Sequence, residues 1–300
     1  MRTLRVLIKR NCKLFFKDKG MFFTALITPA ILLVLYVTFL GNVYRDSFTM
    51  SLPPMFTLSD RILNALVGGQ LVSSILAVSC VTVAFCSNML MVQDRANGTV
   101  KDLRISPVRP PLLAMGYYVA TLLSTLIICL IATGMCLTYL AVIGWYLSAV
   151  DVALLLADVV LLTLFGTALS SVIGFFLSTQ GQISAVGTVI SSGYGFICGA
   201  YMPLSQFSEG LRNAVAFLPG TYGTSLLRNH ALRGVFAAME GDGIPTEVIR
   251  SMQDTVDCHL YVFGTQIAQS TMYLVLGCSV VLLVAVYVLL NVYKAKKHKI

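Results

Sequence analysis

A chain that hydrolyses nucleotides needs a loop to cradle phosphates, and the pattern G-x-x-x-x-G-K-[ST] is absent from these 300 residues. Neither HExxH nor GxSxG occurs. All the glutamates, Glu209, Glu240 and Glu247, fall in one polar stretch, so no buried glutamate pair is available for proteolysis or ion pumping. Asp158 is the ionisable residue that stands well inside an apolar run. A buried acid at membrane depth is a functional candidate by default. It also lies near the end of its run, where the interface or a neighbouring hydroxyl can hold it. Cys80, Cys86, Cys129, Cys136, Cys198 and Cys278 sit in apolar runs, as small apolar residues do. No CxxC pair or Cys/His metal spacing appears. Cys258 lies in the polar stretch and is expected to be open to thiol reagents, with Cys12 on the other side of the membrane. The expectation is a chain with no catalytic, metal or cofactor site of its own.

Three groups of residues carry non-covalent chemistry. The segment Gln93-Asp94-Arg95-Ala96-Asn97-Gly98-Thr99-Val100-Lys101-Asp102-Leu103-Arg104-Ile105-Ser106-Pro107 mixes charges with regularly placed apolar residues. It reads as a short helix, with Gly98 as a break and Ser106-Pro107 as a stop. A plain connection between two apolar runs would not need it. Ser73, Ser74, Ser79, Thr82, Ser87 and Asn88 give one run a polar side, which either lines a pathway or bonds neighbouring helices. Gly187, Ser191, Gly195 and Gly199 recur every four residues and form a narrow stripe of small residues. Such a stripe lets membrane helices approach closely, within one subunit or across a two-fold axis.

The elements that position these groups follow from composition. The chain is 57% hydrophobic and 11% charged, against about 25% charged in a soluble domain. Its apolar runs reach the roughly 20 residues needed to cross a bilayer. Lipid offers the backbone no partners, and the runs lack strand alternation, so they are helices. The fold class is all-α transmembrane. Six spans are expected, at about 21–40 with a kink at Pro29, 67–92, 112–143, 152–177, 183–200 and 269–292. Residues 42–66 are expected as a polar loop, and 201–267 as a large one. Residues 1–19 form an amphipathic helix with Arg2, Arg5, Lys9, Arg10, Lys13 and Lys17 on one side and Leu4, Leu7, Ile8, Leu14 and Phe15 opposite. It reads as a helix in the membrane interface rather than a cleaved signal.

The net charge of +8 is concentrated in the N-terminal helix, the 93–111 loop and the tail Lys294, Lys296, Lys297 and Lys299. With six spans these all lie on one side. The 201–267 loop instead carries Glu209, Glu240, Asp242, Glu247, Asp254 and Asp257. Both termini are therefore expected in the cytoplasm of a multi-pass cell-membrane protein, with the large loop outside. The same distribution argues against a nucleic-acid partner.

Asp94-Arg95, Gly98-Thr99, Leu103 and Ser106-Pro107, placed between the second and third spans, resemble the coupling helix of the type-2 permease family of ATP-binding cassette exporters. The basic amphipathic start resembles that family's interface helix. Cys198 to Pro203, Leu211-Arg212, Leu218 to Tyr222 and Arg228 resemble its re-entrant outer region between spans 5 and 6. The resemblance covers nearly the whole chain as one permease domain, 1–300, apart from an apparent insertion at about 234–264. It implies an export subunit for an amphiphile such as a drug, antimicrobial peptide, lipid or lipid-linked glycan. It further implies a second copy or homologous chain as partner, and separate ATPase subunits that bind ATP and Mg. The competing expectation is an ion-coupled secondary transporter centred on Asp158, which would need inverted repeats and broken spans.

Overall fold

The computed structural model describes residues 2–52, 56, 58–105 and 108–297. Helix α1, Arg2–Lys17, buries Leu7, Asn11 and Phe15 at four-residue spacing and turns its basic side outward. Asp18 ends it and caps the next helix, accepting from the Met21 amide at 3.1 Å. α2, Lys19–Leu35, passes through a π-helical turn, Tyr36–Leu40, into α3, Gly41–Ser51. Pro29 lies within α2, and the helix runs through it. The loop expected from residue 42 therefore begins only after Ser51.

α4 spans Asp60–Ala96, starting with a Ser59 cap and extending beyond the expected 67–92 at both ends. Apolar on nearly every side, it is buried on nearly every side. It is the central helix of the bundle, with α2 and four later helices packed around it. A short helix, α5, covers Thr99–Ile105. α6, Pro110–Ile143, and α7, Ala149–Phe176, flank α4. The turn between α6 and α7 holds Trp145 and Tyr146, and a capping box of Ser148 and Asp151 opens α7. α4 and α7 approach closely where Gly166 faces the Cys80 carbonyl; a Cβ there would stand 2.7 Å from that oxygen.

Thr179 and Gln182 form a second capping box, opening α8, Gln180–Ile197. A 3-10 turn, Leu204–Gln206, leads to α9, Glu209–Ala216, and then to α10, Pro219–Gly241. α11, Thr246–Thr255, precedes a two-stranded hairpin, β1 Leu260–Val262 and β2 Thr265–Ile267, in which Val262 pairs with Thr265. Phe263 and Gly264 turn it with positive φ at both positions, as a two-residue primed turn requires. α12, Gln269–Lys297, closes the chain.

Among the described residues, five helices are long and apolar enough to cross a membrane: Lys19–Met50, Asp60–Ala96, Pro110–Ile143, Ala149–Phe176 and Gln269–Lys296. α8, expected as a sixth, is not one of them. Its two glutamines and its serines and glycines dilute its hydropathy. The larger departure concerns 201–267. It is a folded lobe rather than an open loop, and α10 is built into the bundle against α4, α7 and α12. Leu226, Leu227, Leu232 and Met239 of α10 are wholly buried.

Candidate functional site

The inner turn of α4, at the end of the molecule that carries α1 and the basic tail, is tied on two sides. Arg10 of α1 meets Asp94 through both guanidinium nitrogens, at 2.7 and 3.3 Å, and the Tyr117 hydroxyl of α6 donates to the same carboxylate at 2.7 Å. Asp94 is thus enclosed between α1, α4 and α6. Its hydrogen bond and charge hold the Arg10 proton more tightly than usual, against the opposing effect of burial. Asn11 steadies the same contact, accepting from Arg10 at 2.8 Å.

Arg95, the next residue, points to α7. Its Nη1 lies within 3.0 Å of the Gly174 carbonyl, 2.7 Å of Phe175 and 2.6 Å of Leu177. The last carbonyls of a helix have no partner within it and carry its negative dipole end, so a guanidinium suits the position. Asn88, two turns earlier, donates to the Ser170 carbonyl at 2.6 Å. α4 is therefore fastened along its inner half to α7.

Gly98 ends α4 at φ +82°, a conformation that favours glycine. α5 then begins at Thr99. Val100 and Leu103 pack against a cluster that includes Met91, Val92, Leu113 and Tyr117. Ile105 at its far end is a large apolar side chain left 85% exposed among the described residues. Of the residues expected to couple to an ATPase, Asp94 and Arg95 face inward, Gly98 shapes the turn, and Thr99 and Leu103 lie on α5. Ser106 and Pro107 lie outside the described residues.

The residues expected at a pathway or dimer interface are dispersed. Ser73, Ser79 and Thr82 are buried inside one copy; Ser73 and Thr82 bond carbonyls of their own helix, those of Gln70 and Val78. Gly187 has open space beside it and Ser191 is exposed, whereas Gly195 lies beneath the Tyr201 ring. Gly199 is past the end of α8 at φ +72°, and its carbonyl accepts from Arg228 at 2.5 Å. The four positions do not make one open face. The exposed face of α8 instead shows Ser184, Thr188 and Ser192, whose ladder is visible in Thr188 and Ser192 bonding the carbonyls four residues before them.

Two buried polar centres lie at the opposite end; the sequence singled out Asp158 and Arg228 but not the partners that enclose them. Asp158 of α7 holds His230 of α10 at 2.5 Å and the Tyr273 hydroxyl of α12 at 2.6 Å. Arg228, 1% exposed, pairs with Asp257 at 3.0 Å, and Asp257 accepts from the Leu204 amide at 2.8 Å. Burial pushes the Asp257 carboxyl up, and the Arg228 charge counters it. Cys258 beside it is buried, and burial raises its thiol to about 12. This corrects the expectation of an accessible thiol. The signal for α10 was present in Leu226, Leu227, Ala231, Leu232, Val235, Phe236 and Met239, which recur at helical spacing; its polar residues concealed it.

Long apolar helices around a buried central helix define a multi-pass α-helical membrane protein. The model of the ABC-2 type transporter family matches residues 2–231, and the chain belongs to that family, as the membrane-embedded permease component of a transporter rather than its ATPase. No curated protein matches the chain.

Proposed function

We propose that the chain is the membrane subunit of an exporter driven by ATPase subunits on separate chains. α5 is the element that receives their movement. The observation that carries this reading is the tethered inner turn of α4: Asp94 binds α1 and α6, Arg95 binds α7, and α5 projects from that junction with Ile105 uncovered. A push on α5 then reaches α4 and α7 together. The basic end faces the cytoplasm, where the lysine and arginine excess of α1, the α4–α6 connection and the tail is retained. α8 crosses as a sixth span, and the 201–267 lobe lies outside as the re-entrant region. A second copy or a homologous permease chain completes the assembly across a face that includes α8. ATP and Mg belong to the partner, and the cargo is an amphiphile of the kinds named above.

The test is Leu103→Pro, which breaks α5 while the chain still inserts. ATP-driven export should be lost, with membrane levels retained. Normal insertion with normal transport would remove α5 from the mechanism.

A further inference from the structure

α7 and α10 meet away from the basic end through two acid–base pairs. Asp151 of α7 meets the Arg233 Nε at 2.5 Å, and Asp158 of the same helix meets the His230 Nδ1 at 2.5 Å. The first pair contains a guanidinium, a group that does not give up its proton in proteins. The second contains an imidazole, the side chain that ordinarily changes charge between about pH 5 and 8. Asp158 is 1% and His230 4% exposed, so protein rather than bulk water surrounds the titratable pair. Tyr273 of α12 completes it, donating to the other Asp158 oxygen and stacking on the His230 ring at 28° between planes.

The pair is buried, yet one side is open to a supply of protons. A cavity of about 630 Å³ lies between α10, α11 and the hairpin, and His230 forms part of its wall. The Nδ1 atom is taken by Asp158, which leaves Nε2 as the ring atom that a proton from this cavity can reach. On its own helix Arg228, paired with Asp257, stands two residues before His230. Asp158 faces it from α7 and Tyr273 from α12, with Arg233 one turn along its own helix. Arg250 of α11, Glu240 of α10 and His259 before the hairpin share the cavity wall, and His259 is held by Asp254 at 2.7 Å. α4, packed on the other side of α10, places Gly69 against Leu232 there.

We propose that Asp158, His230 and Tyr273 form a proton-binding site reached from this cavity, and that its occupancy sets how tightly α10 is held against α7 and α12. Without the extra proton the cluster buries a carboxylate beside a neutral ring and a phenol. With it the cluster is an imidazolium–carboxylate pair of zero net charge. Burying a net charge is unfavourable, and a charged hydrogen bond is roughly twice as strong as a neutral one. Acid therefore tightens the seam, and alkali leaves the Asp151–Arg233 pair as its one permanent charged stitch. On the orientation proposed above, the cavity opens outward, so the exterior pH is the one sensed. The proposal does not depend on ATP coupling, and its test needs neither cargo nor partner.

The test is hydrogen exchange of the full chain in lipid bilayers, read on α10 peptides and corrected for the intrinsic pH dependence of exchange. Protection of the 229–241 segment should fall about tenfold between about pH 5.5 and pH 8, the range in which an imidazole ordinarily gives up its proton. His230→Gln should flatten that profile, and Asp158→Asn, nearly isosteric, should flatten it too if the first variant does not insert. Arg233→Gln should lower protection equally at both pH values and keep the pH difference. A wild-type profile that does not change with pH, or a profile that keeps its pH dependence in either His230→Gln or Asp158→Asn, would overturn the proposal.

Discussion

Arg95 shows how much one side chain can do at a helix end. It bonds the Gly174, Phe175 and Leu177 carbonyls at the C-terminal end of α7, and it does so from the turn of α4 that leads into α5. Hydrogen bonds with a charged partner are worth about 1.5–3 kcal/mol. Arg95→Gln should lower stability by roughly that amount in detergent denaturation, with Arg95→Lys intermediate because it keeps the charge on a more strongly hydrated ammonium. A variant as stable as the wild type would show that the clasp contributes nothing. Arg228 makes a parallel case. Arg228→Met leaves Asp257 buried and unpaired, which costs about 3–5 kcal/mol, whereas adding Asp257→Leu should recover part of the loss. Asp94 and Arg95 were legible in the sequence as important residues, but their direction was not. The partners Arg10 and Tyr117 lie 84 and 23 residues away, and no local pattern says which face of a terminal turn meets them.

Elements were legible where membrane depth alone demands apolar residues. α6, α7 and α12 begin within a few residues of the positions that hydropathy gives, because lipid-depth helices must be apolar. α10 was hidden because its polar groups are satisfied inside the protein. Ser225 donates to the Cys258 carbonyl at 3.0 Å, Thr221 to the Val215 carbonyl at 2.8 Å, and Arg228 and His230 are paired. A polar residue with a buried partner looks, in sequence, the same as one in water. The stripe on α8 shows a related limit: regular spacing places residues on one side of a helix but does not say whether that side is open. Cysteine crosslinking in an otherwise cysteine-free chain separates the two cases. Thr188→Cys and Ser192→Cys, on the open face, should give a covalent dimer with short reagents; Gly195→Cys, beneath Tyr201, should not. A dimer from Gly195→Cys alone would reverse the assignment of the faces. The α4–α7 seam can be tested by packing. Gly166→Val should destabilise by about 1–3 kcal/mol, since its Cβ would press on the Cys80 carbonyl and backbone does not yield as a side chain does. Unchanged stability would mean that the two helices separate freely there.

At the scale of the whole molecule, one end is a basic platform and the other a folded polar lobe, with α4 running between them. The charge asymmetry was plain in the sequence; the lobe's compactness was not. It changes how topology is best probed. Cys258 should stay silent to a membrane-impermeant maleimide in intact cells and react after denaturation, because burial both shields the thiol and suppresses the thiolate. Brisk labelling of Cys258 in the native protein would mean that the lobe is open. The claim on which the rest depends is that α5 meets an ATPase, and Ile105 is its most exposed apolar side chain among the described residues of that helix. The most direct measurement places a photoreactive amino acid at residue 105 in native membranes and identifies what is captured by mass spectrometry. The expected result is a separate chain bearing G-x-x-x-x-G-K-[ST], crosslinked in a yield that changes with ATP. Capture of lipid alone, or of a chain without that loop, would contradict the coupling role of α5.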